Sequence, residues 1–165
     1  MMQDTVDRLL GQWTREQPGL DCSGLAIVVR IQRLAKLMQQ GAERVLAPLD
    51  LKLWEYDVLS ALRRQGEPFM LPASDLARAA LLTSGAMTTR IDRLAEKGLV
   101  IREQRSCDRR GVNVRLTLPG QRLVDQALQA RMRAAGEIVA GLSSGQRELL
   151  DGALRELLLA LDPVC

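Results

Sequence analysis

The chain has 165 residues, 47% hydrophobic and 26% charged, with a formal net charge of +3; that is enough apolar matter for one good core and too much for a disordered segment. It holds no histidine, which removes the Ser-His-Asp and Cys-His nucleophile systems, and only 2% aromatics, too few for the stacking platforms that grip single-stranded nucleic acid. Cys22, Cys107 and Cys165 are odd in number and scattered, and no phosphate loop of the G-x-x-x-x-G-K type is present, so no enzyme, metal or cofactor is expected and a reducing compartment fits.

In chain order, Gln3 to Arg15 carries Val6, Leu9, Leu10 and Trp13 at helical spacing, and Pro18-Gly19 ends that helix. Asp4 and Asp7 stand where a signal peptide needs cations, and no apolar run approaches the roughly 20 residues of a membrane span. A cytoplasmic protein without a membrane partner is expected. A long helix follows from Ser23 to Leu46 and is broken by Ala47-Pro-Leu-Asp50. Leu53 to Gln65 makes the next, with Trp54, Val58, Ala61 and Leu62 on one face. Gln65 to Pro68 reads as a loop, and Ser74 as the cap of a short helix around Asp75 to Ala80, the first half of a helix-turn-helix.

The second half is the more informative. Thr83 or Ser84 can cap a helix whose apolar residues Met87, Ile91 and Leu94 recur at i, i+4 and i+7, with Gly98 as its stop. The opposite face carries Gly85, Thr88, Thr89, Asp92 and Arg93. A helix entering a major groove needs small residues near its start and donors beyond them, so Ser84, Gly85, Thr88, Thr89 and Arg93 are the expected DNA-reading residues.

Val112, Val114, Leu116 and Leu118 then alternate with Asn113, Arg115 and Thr117, the period of a strand with one buried face, and Leu99 to Ile101 can pair with it. Between them Arg105 to Gly111 reads as a turn. From Lys97 to Arg115 six cations (Lys97, Arg102, Arg105, Arg109, Arg110, Arg115) face two anions, Glu103 and Asp108, a local excess of four. Arg105, Arg109 and Arg110 are the expected phosphate or minor-groove contacts, with Asp108 bracing Arg110. After Pro119-Gly120 a helix runs to about Ala140, and Ser143 or Ser144 caps a last one with Leu150, Leu154, Leu157 and Leu161 in a stripe that Leu149, Ala153 and Leu158 widen. The expected architecture is mainly α with a small β-wing: a single domain over 1–165, with a winged helix-turn-helix over 53–118 and dimerisation helices in 1–46 and 119–165.

The series from Leu76 to Val124 resembles the DNA-binding half of the MarR family of bacterial regulators, through the RLxxKGLV junction at Arg93 to Val100, the DRRG tip at Asp108 to Gly111 and the LTLPG exit at Leu116 to Gly120. The resemblance implies a homodimer that binds double-stranded DNA at a palindromic site and represses, or sometimes activates, genes. Four further residues have convergent chemistry. Asp57 and Arg64 lie seven apart on one helix beside its buried stripe, Arg90 sits at the edge of the apolar face of its helix, and Trp13 offers a flat ring. This set resembles the urate-responsive branch of the family. It implies a ligand site of Trp13, Asp57, Arg64 and Arg90 for urate, xanthine or another planar aromatic anion, with Arg90 as the link to DNA release. The alternatives are a thiol switch at Cys22 or Cys107, against which stands the scarcity of tyrosine, Tyr56 alone, and a winged-helix module that binds protein rather than DNA.

Overall fold

The structure, a computed structural model, describes residues 3–80, 82–105 and 108–162, and at 105 and 108–110 it describes the backbone only. The chain divides into two compact units, residues 1–44 and 45–165.

In the first unit, α1 (Thr5–Glu16) opens on a reciprocal cap. The Asp4 carboxylate accepts from the backbone N–H of Val6 at 2.7 Å and of Asp7 at 2.9 Å, and the Asp7 carboxylate accepts from the N–H of Asp4 at 2.8 Å. Arg30, on α2 (Ser23–Leu46), donates to Asp4 at 2.9 Å and to Asp7 at 2.6 Å. The Arg30 hydrogen bond, aided by the backbone donors, holds the Asp4 carboxyl down to about 2. The limits of α2 are those its sequence pattern predicts.

The second unit contains α3 (Leu53–Arg63), β1 (Met70–Pro72), α4 (Ala73–Ala79), α5 (Ser84–Glu96), β2 (Val100–Arg105), β3 (Asp108–Leu116), α6 (Leu118–Val139) and α7 (Ser144–Leu161), with a 3-10 turn at Ala47–Leu49 ahead of α3. Leu46, Leu59, Leu62, Leu76, Ile91, Leu94, Val114, Leu116 and Val124 are fully buried and form one core. The three strands make an antiparallel sheet in the order β1-β3-β2, with Leu71 opposite Val114 and Val100 opposite Leu116. This is a winged helix-turn-helix: α4 and α5 are its two helices, and the β2–β3 hairpin is the wing. Among the described residues no helix is long and apolar enough to cross a membrane.

Four details depart from the sequence pattern. Strand β1 was not expected, because three residues are too few to show a period. It delivers the chain straight into α4, so extended Pro72 holds the N-cap position without a side-chain bond and Ser74 lies inside the helix rather than capping it. The expected turn from Arg105 to Gly111 is largely ladder. Pairing continues to Arg105 opposite Asp108, since backbone hydrogen bonds on an exposed hairpin do not need the apolar alternation that stops at Val112. Leu118, expected on the buried strand face, is instead the first residue of α6 and 61% exposed. Thr117 ends the strand by capping that helix, its hydroxyl accepting from the Gly120 N–H at 3.1 Å.

The exit from α5 and the start of α6 are packed on one another. Gly98 takes φ +70° and the Leu99 N–H returns to the Leu94 carbonyl at 3.0 Å, the left-handed close that glycine favours. Thr117 donates its hydroxyl to the Gly98 carbonyl at 2.7 Å and its N–H to that of Leu99 at 3.1 Å. A Cβ on Gly120 would lie 2.1 Å from the Leu99 carbonyl oxygen, so this position admits glycine alone.

Helix α7 begins on a reciprocal cap between Ser143 and Gln146. It buries none of its own residues, and Leu149, Leu150, Leu154, Leu157, Leu158 and Leu161 are 39–80% exposed. The capped helix therefore leaves a wide apolar face uncovered.

Candidate nucleic-acid interface and adjoining cleft

Helix α5 has two faces. Thr83 caps it by accepting from the Ala86 N–H at 3.3 Å, and Met87, Ile91 and Leu94 are buried in the core. Ser84, Gly85, Thr88, Thr89 and Arg93 are all exposed on the other side, as their spacing predicts. The Thr88 hydroxyl donates to the Ser84 carbonyl at 2.9 Å and that of Thr89 to the Gly85 carbonyl at 3.2 Å, which leaves both oxygens able to accept. Nothing lies within 4 Å of a Cβ built on Gly85, so the first turn presents bare backbone to solvent. A groove of about 310 Å³ runs beside it, bounded by Ser74, Ser84, Thr88, Arg102 and Gly111.

The charges of the junction and wing fall into two groups. Lys97 donates to Glu55 at 3.0 Å, Arg102 pairs with Asp92, and Arg115 donates to Glu103 at 2.6 Å. Glu55 is 2% exposed, and its other oxygen accepts from the Lys52 N–H at 2.9 Å. These three cations fasten α3, α5, β2 and β3 together and do not form a free field, a pairing that a count of charges along the sequence could not see. Arg105, Arg109 and Arg110 stand at the end of the hairpin. Their side chains, the brace from Asp108 to Arg110, and Cys107 lie outside the described residues, as does Cys165; Cys22 is half-buried on its own in the first unit. Among the described residues no group of His, Cys, Asp and Glu could hold a metal.

Behind α5 lies a second cavity, about 390 Å³, between α3, α4 and α5. Asp57, Arg64 and Arg90 all line it, with Tyr56 and Ser60 between them. Trp13 belongs to the other unit, on α1, and is 45% exposed. Three residues that the sequence pattern did not single out as ligands adjoin the cavity chemistry. The Arg90 guanidinium lies 5.2 Å above the Trp54 ring, and that of Arg131, from α6, lies 5.7 Å from the Tyr56 ring. Arg131 had a signal: it continues the buried positions Val124 and Ala127 on one face of α6, where an arginine is out of place.

Burial pushes the Asp57 carboxyl above its ordinary value, while the charges of Arg131, Arg90 and Arg64 pull it back. A carboxyl with a raised native pKa makes folding less favourable once it is ionised, above that pKa, and the penalty disappears as the pH falls through it. Asp57→Asn is therefore expected to raise the melting temperature slightly at pH 7, with the difference from wild type shrinking toward pH 3. A gain that persists unchanged at pH 3 would show that charge is not its origin.

Comparison with known proteins agrees with this geometry. The family model described as "MarR family" matches residues 49–111. The transcriptional regulator PecS of Dickeya dadantii is 28% identical over 149 residues, which cover 90% of this chain and 90% of PecS. The multiple antibiotic resistance protein MarR of Salmonella typhimurium is 30% identical over 106 residues, 62% of this chain and 72% of that protein. In structure, a mutant MarR from E. coli complexed with operator DNA superimposes with a TM-score of 0.67 at 27% identity, covering 79% of this chain and 95% of that one. A wing, an outward-facing helix of small polar residues and a relative of matching length thus converge: the chain belongs to the MarR family of transcriptional regulators.

Proposed function

We propose that this regulator acts in the cytoplasm as a homodimeric repressor that binds a palindromic operator and releases it when a planar purine anion, urate or xanthine, enters the cleft behind α5. One observation carries the reading. Arg90 lines that cleft from the same helix that turns Thr88, Thr89 and Arg93 outward, so a ligand that moves Arg90 moves the reading face. Arg64 and Arg90 suit the oxo edge of such an anion, with Arg131 adding positive charge nearby and Trp13 supplying a stacking ring. DNA contact falls to Ser84, Gly85, Thr88, Thr89 and Arg93 in the major groove and to Arg105, Arg109 and Arg110 at the wing. The leucine face of α7 supplies a dimer seam, and a twofold pair sets its two reading helices about one DNA turn apart.

The reading predicts that urate or xanthine raises the melting temperature of the wild-type protein and displaces it from its operator, and that Trp13→Phe and Arg90→Ala abolish the thermal shift. No shift in the wild type at millimolar purine would refute the ligand class. A displacement that depends on Cys22 or Cys107 would favour the thiol switch instead.

A further inference from the structure

Several arginines in the second unit are tied to carboxylates. Arg63 donates to Asp125 at 2.8 and 3.3 Å, Arg102 pairs with Asp92 and Arg115 with Glu103, so these guanidiniums are committed to carboxylates. Arg90 is different. Its guanidinium stands 5.2 Å above the Trp54 ring and, among the described residues, makes no hydrogen bond or ion pair. Trp54 itself is half-buried against the core, so its ring is a fixed surface. A guanidinium resting on an aromatic face is held by its π surface, while all five N–H donors point outward from its edge. An arginine fixed in this way keeps its whole bidentate fork for a ligand and needs no reorganisation when the ligand arrives.

We propose that Trp54 is a positioning residue of the effector cleft: its ring supports the Arg90 guanidinium with the edge donors directed at an incoming planar anion that carries an oxo or carboxylate edge. The assignment rests on the ligand reading given above and adds what that reading lacks, the reason why Arg90 is already in place before the anion binds. It also explains why an arginine on the reading helix points into the body of the protein. The π support competes with no hydrogen-bond acceptor, so ligand and ring hold the guanidinium at once, one at its edge and the other at its face.

The test uses the full-length protein with isotope-labelled arginine, urate and xanthine as probes, and the variants Trp54→Phe and Trp54→Leu. In the ligand-free wild type the side-chain protons of Arg90 should be shifted upfield by the indole ring current, and they should remain so with the probe bound. Trp54→Leu should weaken probe binding by about tenfold, whereas Trp54→Phe, which keeps a π face, should stay within about threefold of wild type. An Arg90 signal at its random-coil position in the wild type overturns the proposal, as does equal loss of binding in the two variants, which would mark Trp54 as packing alone. Should Trp54→Leu fail to fold, the wild-type spectrum and Trp54→Phe decide. If neither purine binds the wild type, the ligand class fails, and the ring-current shift still reports on the support.

Discussion

Gly120→Ala is expected to destabilise the second unit by about 3 kcal/mol, and to do so although it adds only one methyl group. The added carbon would sit 2.1 Å from the Leu99 carbonyl oxygen and 3.0 Å from its carbon, so the severe clash is with backbone; a shift of the Leu116 side chain, 3.2 Å away, would not relieve it. Relief requires α6 to lift from the β2 entrance, which would stretch the bonds from Thr117 to Gly98 and Leu99. Because Leu99 joins α5 to the wing, the damage should extend beyond stability: α5 and the hairpin would lose their fixed mutual angle. Chemical denaturation followed by far-ultraviolet circular dichroism measures the first effect. A midpoint equal to that of the wild type would mean that the junction is slack.

Lys97→Met should cost about 2 kcal/mol, because it leaves the Glu55 carboxylate buried with a single backbone donor. The figure is set below that of a fully buried pair because Lys97 itself is partly open to solvent, where water screens the attraction. The sign of the pair can be isolated. Glu55→Gln in the same background removes the stranded charge and keeps an acceptor for the Lys52 N–H, so the double variant should recover most of the loss. Denaturation midpoints of the two singles and the double complete the cycle. If the double variant is the sum of the singles, then Lys97 acts through its packing and not through Glu55.

Much of this molecule can be read from its residues. The limits of α2, the buried triad Met87, Ile91 and Leu94 and the outward Thr88, Thr89 and Arg93 follow from helical spacing, because a long amphipathic helix repeats its message over several turns; which of Thr83 and Ser84 caps α5 does not, and the structure gives the bond to Thr83. Asp57, Arg64 and Arg90 line one cavity, but spacing places each only on a face of its own helix; their grouping with Trp13 comes from the family resemblance. What escaped were features made by partners distant in sequence. Strand β1 exists because Met70 to Pro72 lie beside Arg115 to Asn113, and no local pattern announces a strand of three residues. The pairing of Lys97 with Glu55 spans 42 positions, and that of Arg102 with Asp92 runs from strand to helix, so both looked like loose charge. The RLxxKGLV and LTLPG motifs marked a family resemblance; the structure supplies their physical content, since Gly98, Leu99, Thr117 and Gly120 are two sides of one joint.

The division of the basic residues has a practical bearing on genetics. A screen that scores transcriptional output alone would place substitutions at Lys97, Arg102 and Arg115 beside those at the wing, all of them losses of a positive residue within a stretch of twenty. Their causes differ. The first three hold the scaffold together through Glu55, Asp92 and Glu103, so their alleles should lower the amount of regulator in the cell and be rescued by overexpression or by growth at lower temperature.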